Sequence, residues 1–229
     1  MSDQPFFKFP STPYLIAPSN LIFRQDKILS NEEALRFFSE RVSIEEKIDG
    51  ANLGISFDTN GNVQIQNRGH IIQEPFTGQW SPLSNWLNCR ISCLFDVLYE
   101  RYILFGEWCF ITHSVYYSSL PDWFISFDIF DKQSGLFLPV IKRNSMVEQM
   151  GLTVVPHIFS GHISRDMLDS YIGKSAYGAD KCEGLYLRID SSDRLLYRAK
   201  YVRNDFSQSI DTHWSKKAPK KNQLHYYSN

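Results

Sequence analysis

The chain has 229 residues, a formal net charge of −1, 43% apolar and 21% charged residues. That length suits one domain, at most with a small appendage, and the balance of apolar to charged residues excludes disorder for most of the chain. No stretch reads as a membrane span, because the longest apolar region, Ile91 to Ile111, is broken by Asp96, Glu100, Arg101 and Glu107, and the N-terminus lacks the basic start and apolar run of a secretory signal.

Ser30-Asn31-Glu32-Glu33 is a capping box, with Ser30 as N-cap and Glu33 reaching back, and it opens a short helix through Leu35, Phe37 and Phe38. Strands follow at Ile44–Asp49, Asn52–Asp58 and Val63–Arg68. The Asn60-Gly61 pair between the last two is a hairpin signal that calls for positive φ at both residues. Trp86, Leu87, Ile91, Leu94, Phe95 and Leu98 recur at helical spacing and predict one helix over Ser84–Tyr99. Buried strands are expected at Tyr102–Phe110 and Trp123–Phe130, with a return strand Leu136–Val140 after a Lys-Gln-Ser-Gly turn. A helix over Arg143–Met150 stops at Gly151, and another begun by Ser164 stops at Gly173. Glu183–Asp190 and Leu195–Val202 form a second hairpin across Ser-Ser-Asp, and after Asp205 the pattern fades into a polar tail. Hairpins with helices between them argue for an α+β domain on antiparallel sheets.

The charge is uneven: Arg194 to Asn229 carries a local +6, leaving −7 on the first 193 residues, so a polyanion contact is expected at the C-terminal end. The four cysteines, Cys89, Cys93, Cys109 and Cys182, form no C-x-x-C pair and read as free thiols of a reducing cytoplasm.

Several residues sit oddly in this frame. Lys47 in Lys47-Ile48-Asp49-Gly50 places an amine beside a glycine that permits close approach of a ligand. Arg68 closes the first hairpin. Glu107, between Gly106 and Trp108, and Asp128, between Phe127 and Ile129, put carboxylates into apolar strands, where burial without a partner is costly. Glu183 starts the last hairpin, and a spacing of two puts Arg198 and Lys200 on one face of its second strand. Together these are a nucleophile, carboxylates and cations, a set that suits attack by lysine on a nucleotide α-phosphate. A free lysine, with a pKa of about 10.4, is neutral in only about one molecule in 2,500 at pH 7, so neighbouring cations that disfavour its charged form would help it attack.

In chain order, Glu46-Lys47-Ile48-Asp49-Gly50-Ala51-Asn52, Asn67-Arg68-Gly69, Phe105-Gly106-Glu107-Trp108, Ser126-Phe127-Asp128-Ile129, Glu183-Gly184-Leu185-Tyr186-Leu187-Arg188 and Arg198-Ala199-Lys200 resemble the motifs of the covalent nucleotidyltransferase superfamily of ATP-dependent ligases and mRNA-capping enzymes. The opening element and Phe127-Asp128-Ile129 look most like RNA ligases of the nick-sealing type. The resemblance implies an α+β nucleotidyltransferase (adenylation) domain with two antiparallel β-sheets and flanking helices over residues 1–205. Residues 206–229 would then be a basic, aromatic tail with no room for an OB-fold. It implies that Lys47 attacks ATP, with Mg²⁺ or Mn²⁺, and carries AMP. The main chain at Glu46 would read the adenine edge, Arg68 and Glu107 would hold the ribose and neighbouring phosphate, and Phe127 would stack on adenine. Glu183, with Glu107, would bind the metal, and Lys200 with Arg198 would grip the triphosphate and activate Lys47. One departure stands out: Arg198 occupies a position where RNA ligases commonly have lysine.

The expected activity is joining of 5′-phosphate and 3′-hydroxyl RNA ends through lysyl-AMP. RNA ends are the expected partner, together with a protein replacing the substrate domain for which the chain has no room, and Trp214, Lys216, Lys217, Lys220, Lys221, His225, Tyr226 and Tyr227 could contact single-stranded RNA. The alternatives are DNA sealing by the same mechanism, a capping-type guanylyltransferase, AMP transfer to a protein, and a nucleotide- or RNA-binding protein without catalysis.

Overall fold

The computed structural model describes residues 6–17, 27–209 and 220–225. Helix α1 (Asn31–Ser39) begins at the predicted capping box: the Ser30 side chain accepts from the Glu33 N–H at 3.2 Å, and the Glu33 carboxylate accepts from the Ser30 N–H at 2.8 Å. Strands β1 (Val42–Lys47), β2 (Ala51–Phe57) and β3 (Val63–Gln66) follow as expected. In the connection between β2 and β3 only Gly61 has positive φ (+81°), and the expectation for Asn60 fails. The Asp58 carboxylate instead accepts from the N–H groups of Asn60 and Asn62 at 2.9 and 2.8 Å, which closes a wider loop in which one left-handed residue suffices.

The single helix predicted over Ser84–Tyr99 is two, α2 (Leu83–Asn88) and α3 (Ile91–Leu98). Arg90 leaves the helical region (φ −129°). Its guanidinium lies 4.7 Å from the Trp86 ring centroid and donates to Asp122 at 2.9 Å, while the Trp86 indole donates to the same carboxylate at 2.8 Å. Local periodicity carries no signal of that distant partner. Strands β4 (Tyr102–Trp108) and β5 (Phe124–Asp131) match the prediction. Strand β6 (Leu136–Phe137) is shorter than expected, because Pro139 has no N–H to extend the ladder, and α4 (Val140–Gln149) starts directly after it. Gly151 ends that helix with φ +67°.

Strands β7 (Thr153–Val154) and β8 (His157–Gly161) were not predicted. Arg165–Tyr171 is a 3-10 helix, and the Ser164 side chain makes no cap bond. Strands β9 (Gly184–Asp190) and β10 (Leu195–Val202) form the expected hairpin, and α5 (Asn204–Ser209) lies where the pattern was expected to fade. Among the described residues no helix is long and apolar enough to cross a membrane.

The chain divides into two compact units. The first comprises Met1–Pro10, Gly50–Phe110 and Asp122–Val154. Its sheet runs β3-β2-β4-β5-β6 in antiparallel pairs, and β7 adds to β5 in parallel. One sheet face (Leu53, Ile55, Leu104, Trp108, Phe124, Ile129) packs with Leu83, Trp86 and Leu87 of α2, Leu94 and Leu98 of α3, and Val147 of α4. The second unit comprises Ser11–Asp49, Ile111–Pro121 and Val155–Asn229, with the antiparallel sheet β10-β9-β1-β8. Val42, Ile44, Leu185, Leu187 and Ala199 form its core face, against Leu15, Phe37, Ile163 and Leu168. Each fully buried Val, Leu, Ile or Phe side chain among them contributes roughly 1.5–3 kcal/mol. In the second unit the opposite sheet face is thereby left mainly for polar side chains, whereas in the first it carries Phe105 and Phe130, packed with Phe7, Phe9 and Phe137, beside Glu107.

Candidate active site

Strand register sorts the polar residues of the second unit. In the ladders of β1, β9 and β10, Glu45 lies opposite Tyr186 and Tyr186 opposite Lys200; Ser43 lies opposite Arg188 and Arg188 opposite Arg198. Side chains in register share a face. Since Ile44, Leu187 and Ala199 fill the core face, alternation turns Lys47, Glu45, Lys200, Arg198 and Arg188 to the other one.

Lys47 ends β1, and its Nζ donates to Glu183 Oε2 at 2.5 Å. Burial pushes the Glu183 carboxyl above its ordinary range; the positive charge of Lys47 opposes that rise, the Asp49 carboxylate adds to it, and Lys200 opposes it. Gly184, directly after Glu183, lies opposite Lys47 in β1 and Val202 in β10. A Cβ there would run into the Tyr201 carbonyl oxygen and come within 2.8 Å of Val202 Cα, so only glycine admits this close approach beside the Lys47–Glu183 pair.

Lys200 is buried, and its main chain is fixed on both sides: its N–H donates to Pro13 O and its carbonyl accepts from Leu15 N–H, each at 2.9 Å. Its ammonium lies 4.1 Å from the Tyr14 ring centroid, a cation–π contact. Asp49 is a structural anchor: its carboxylate accepts from the N–H groups of Ser114 and Val115 at 2.6 and 2.9 Å, and its own N–H donates to Tyr117 Oη at 2.7 Å. That loop is held in turn by Asn222, which is buried and whose Oδ1 accepts from Tyr117 N–H at 3.0 Å and Thr112 Oγ1 at 2.8 Å.

Glu46 points to the other side. Its N–H donates to Pro156 O, and its carboxylate accepts from Ala176 N–H, both at 2.9 Å. Burial pushes its carboxyl above the ordinary range, against the hydrogen bonds from Ala176 and Ser175. Its Oε1 is buried with no hydrogen-bond partner among the described residues.

Arg68, Glu107 and Phe127 belong to the first unit. The Asn67 side chain accepts from Gly69 and His70 N–H at 2.8 and 2.9 Å, and this turn presents Arg68 at the surface. Glu107 sits in β4 opposite Asn52 and Ile125, on the face away from the Leu104–Trp108 core. Phe127 is the extra residue of a β-bulge, since Phe105 pairs with Asp128 and Gly106 with Ser126. Its carbonyl accepts from the fully buried Arg143 of α4 at 2.6 Å, and its ring meets Phe9 edge-on with centroids 5.3 Å apart.

Sequence reasoning gave no site role to Glu45, Arg188, Asn222 or Arg143. Stepping by two from Lys47 would have found Glu45; Arg188 joins this face from the neighbouring strand, opposite Arg198, and Asn222 and Arg143 act through tertiary contacts that leave no local mark. Trp214, Lys216, Lys217, Tyr226 and Tyr227 lie outside the described residues, whereas Lys220, Lys221 and His225 lie within them.

No three His, Cys, Asp or Glu side chains among the described residues form a metal cage. A magnesium ion carried by nucleotide phosphates needs only one or two carboxylates. Glu183 fits that need, because a cation beside it would relieve the cost of its buried charge.

A family model described as RNA ligase matches residues 40–202, more than two thirds of the chain. A search of the curated proteins gives no match. Among solved structures, a lysine-to-methionine variant of Naegleria gruberi RNA ligase with AMP and Mn aligns with a TM-score of 0.59 and 20% identity, over 76% of this chain and 53% of that chain. A glutamate-to-alanine variant of the same ligase with AMP and Mn gives a TM-score of 0.63 and 18% identity, over 89% and 57%. A further variant with ATP and Mn gives 0.56 and 18%, over 76% and 52%. The chain thus spans about half the length of these structures and shares their fold. All six motifs fall within the matched segment, and by that match the chain belongs to the RNA ligase family.

Proposed function

We propose that this protein is an ATP-dependent RNA ligase that joins a 5′-phosphate to a 3′-hydroxyl through an adenylate carried on Lys47. The observation that carries the reading is the Lys47–Glu183 contact at 2.5 Å, on a sheet face that also bears Lys200 and Arg198. Lys47 Nζ attacks the α-phosphorus of ATP; a P–N bond forms, the bond to the β-phosphate oxygen breaks and pyrophosphate leaves. An RNA 5′-phosphate oxygen then displaces the lysine, and the 3′-hydroxyl of the second end attacks that 5′-phosphorus and releases AMP.

The chain's own work is positioning and charge stabilisation. Ion pairing with Glu183 favours the ammonium form of Lys47, and attack requires the neutral amine. Lys200 and Arg198 offer positive charge to the triphosphate, and Arg198 supplies a planar two-pronged donor where lysine is common. A divalent ion at Glu183 would neutralise phosphate charge and draw the carboxylate's charge away from Lys47. Arg68, Glu107 and Phe127 are assigned to ribose, phosphate and adenine, with Glu107 as a second candidate metal carboxylate. A partner protein completing the RNA-binding surface, and a cytoplasmic site of action suited to free thiols, belong to the same reading.

The test is the intact mass after exposure to ATP and Mg²⁺. The expected result is a gain of one adenylate on the peptide containing Lys47, and none in Lys47→Ala. No gain, or equal gain in the variant, rejects the proposal. Sealing of a nick by the purified chain alone would dispense with the partner, and comparing ribose with deoxyribose at the 3′-hydroxyl end reads the RNA preference.

A further inference from the structure

We infer that three packed segments of the second unit, residues 112–120, 173–182 and 220–225, form a cationic surface that holds the phosphodiester backbone of the RNA strand beside Lys47. This rests on the ligase reading for its substrate and on separate residues for its evidence.

Residues 220–225 are not a loose extension of the domain. Thr112 N–H donates to Lys220 O at 2.8 Å, Gln223 N–H to Tyr117 O and Leu120 N–H to Gln223 O at 2.9 Å, and His225 N–H to Leu120 O at 2.7 Å. The loop at 173–182 packs against the same segment: Ser119 N–H donates to Tyr177 O at 3.0 Å and Tyr116 N–H to Asp180 at 3.3 Å, and a Cβ on Gly178 would approach Tyr116 O to 2.7 Å. Lys174 and Lys181 face each other across an antiparallel bridge. The three segments hold four lysines (Lys174, Lys181, Lys220, Lys221) and one acid, Asp180, which the Tyr116 N–H engages.

All four lysines are exposed, in a protein whose net charge is −1. Such a concentration opposes the overall charge and marks a polyanion contact. Lys220 Nζ lies 3.4 Å from the Tyr116 ring centroid, so the surface also interleaves an aromatic ring with cations, the combination that suits a single strand. The location ties it to the chemistry: Ser114 and Val115, in the middle of the first segment, hold the Asp49 carboxylate two residues from Lys47. A strand lying along the lysines would therefore end near the amine that carries the adenylate.

The experiment measures binding of a fluorescent 5′-phosphorylated single-stranded RNA to the full chain, alongside ATP labelling of the same preparations. If each lysine neutralises one phosphate, affinity falls about 50-fold between about 50 and about 200 mM salt, and only about sevenfold for Lys174→Gln/Lys181→Gln, which keeps two contacts. Lys220→Gln/Lys221→Gln is expected to behave like the first pair, and both variants to keep ATP labelling. Wild-type affinity and salt dependence in both variants, no RNA binding by the wild type, or displacement of RNA by an oligoglutamate as readily as by RNA would each overturn the inference. Loss of RNA binding in the variants of a chain that never labels with ATP would sink the ligase proposal and leave this surface standing.

Discussion

Two buried glutamates neighbouring Lys47, one in sequence and one in space, are tuned by different surroundings. Glu183 pairs with Lys47, so its buried charge is partly answered. Glu46 faces away and has only hydrogen bonds to offset burial. Its folded-state carboxyl titrates above the unfolded value of 4.5, so the folded chain keeps a proton that the unfolded chain has already lost. Stability from this group is therefore full below about pH 4.5 and declines as pH rises through the folded pKa. Glu46→Gln is neutral throughout and keeps an oxygen for the Ala176 N–H. The stability of Glu46→Gln minus that of wild type should accordingly increase as pH is raised from about 4 to 7 in denaturant titrations. A flat difference would show that Glu46 does not titrate abnormally. The same residue scale governs Lys47: under the proposed lysyl-adenylate route attack needs the neutral amine, so adenylation should accelerate with pH in single-turnover measurements, and a rate flat from about pH 6 to 9 would place the slow step elsewhere.

Among the elements, β5 shows how a strand can present a residue out of alternation. The bulge at Phe127 leaves its carbonyl outside the ladder to β4, and Arg143 supplies the donor from α4. Asn144 Oδ1 accepts from the Nε and Nη2 of that guanidinium at 2.9 and 2.7 Å, which fixes its plane. Replacing Arg143 with Met keeps much of the volume and removes the donors. The expected loss is about 1.5–3 kcal/mol in chemical unfolding, the range for a hydrogen bond to a charged group, with a weaker apparent affinity for ATP if Phe127 stacks on adenine. Unchanged stability would show that the bulge stands without it. The helix break at Arg90 has the same origin, a polar tertiary partner overriding local periodicity.

At the scale of the molecule, Asn222 stands near the end of the chain and acts on its beginning. It receives Tyr117 N–H, Tyr117 Oη receives Asp49 N–H, and the Ser114–Val115 amides hold the Asp49 carboxylate. Asn222→Ala strands two donors, at a cost of about 1–3 kcal/mol if they stay buried. If this chain of hydrogen bonds positions Lys47 for the proposed adenylation, kcat should fall more than KM for ATP rises, and Asn222→Asp, which keeps the accepting oxygen, should restore it. Equal rates in the alanine variant would reject the linkage.

The capping box at Ser30, the hairpin of β9 and β10, the alternation that pairs Arg198 with Lys200 and the order of the six motifs were legible in the residues alone. Each depends on neighbours close in sequence or on strand period, both of which are local properties. The tertiary structure alone decided the Lys47–Glu183 contact, the Arg143 donor to a bulge, the two-residue β7 beside β5 and the docking of residues 220–225 on the 112–120 loop. These join positions far apart in the chain, and the composition of either partner carries no record of which distant group will satisfy it.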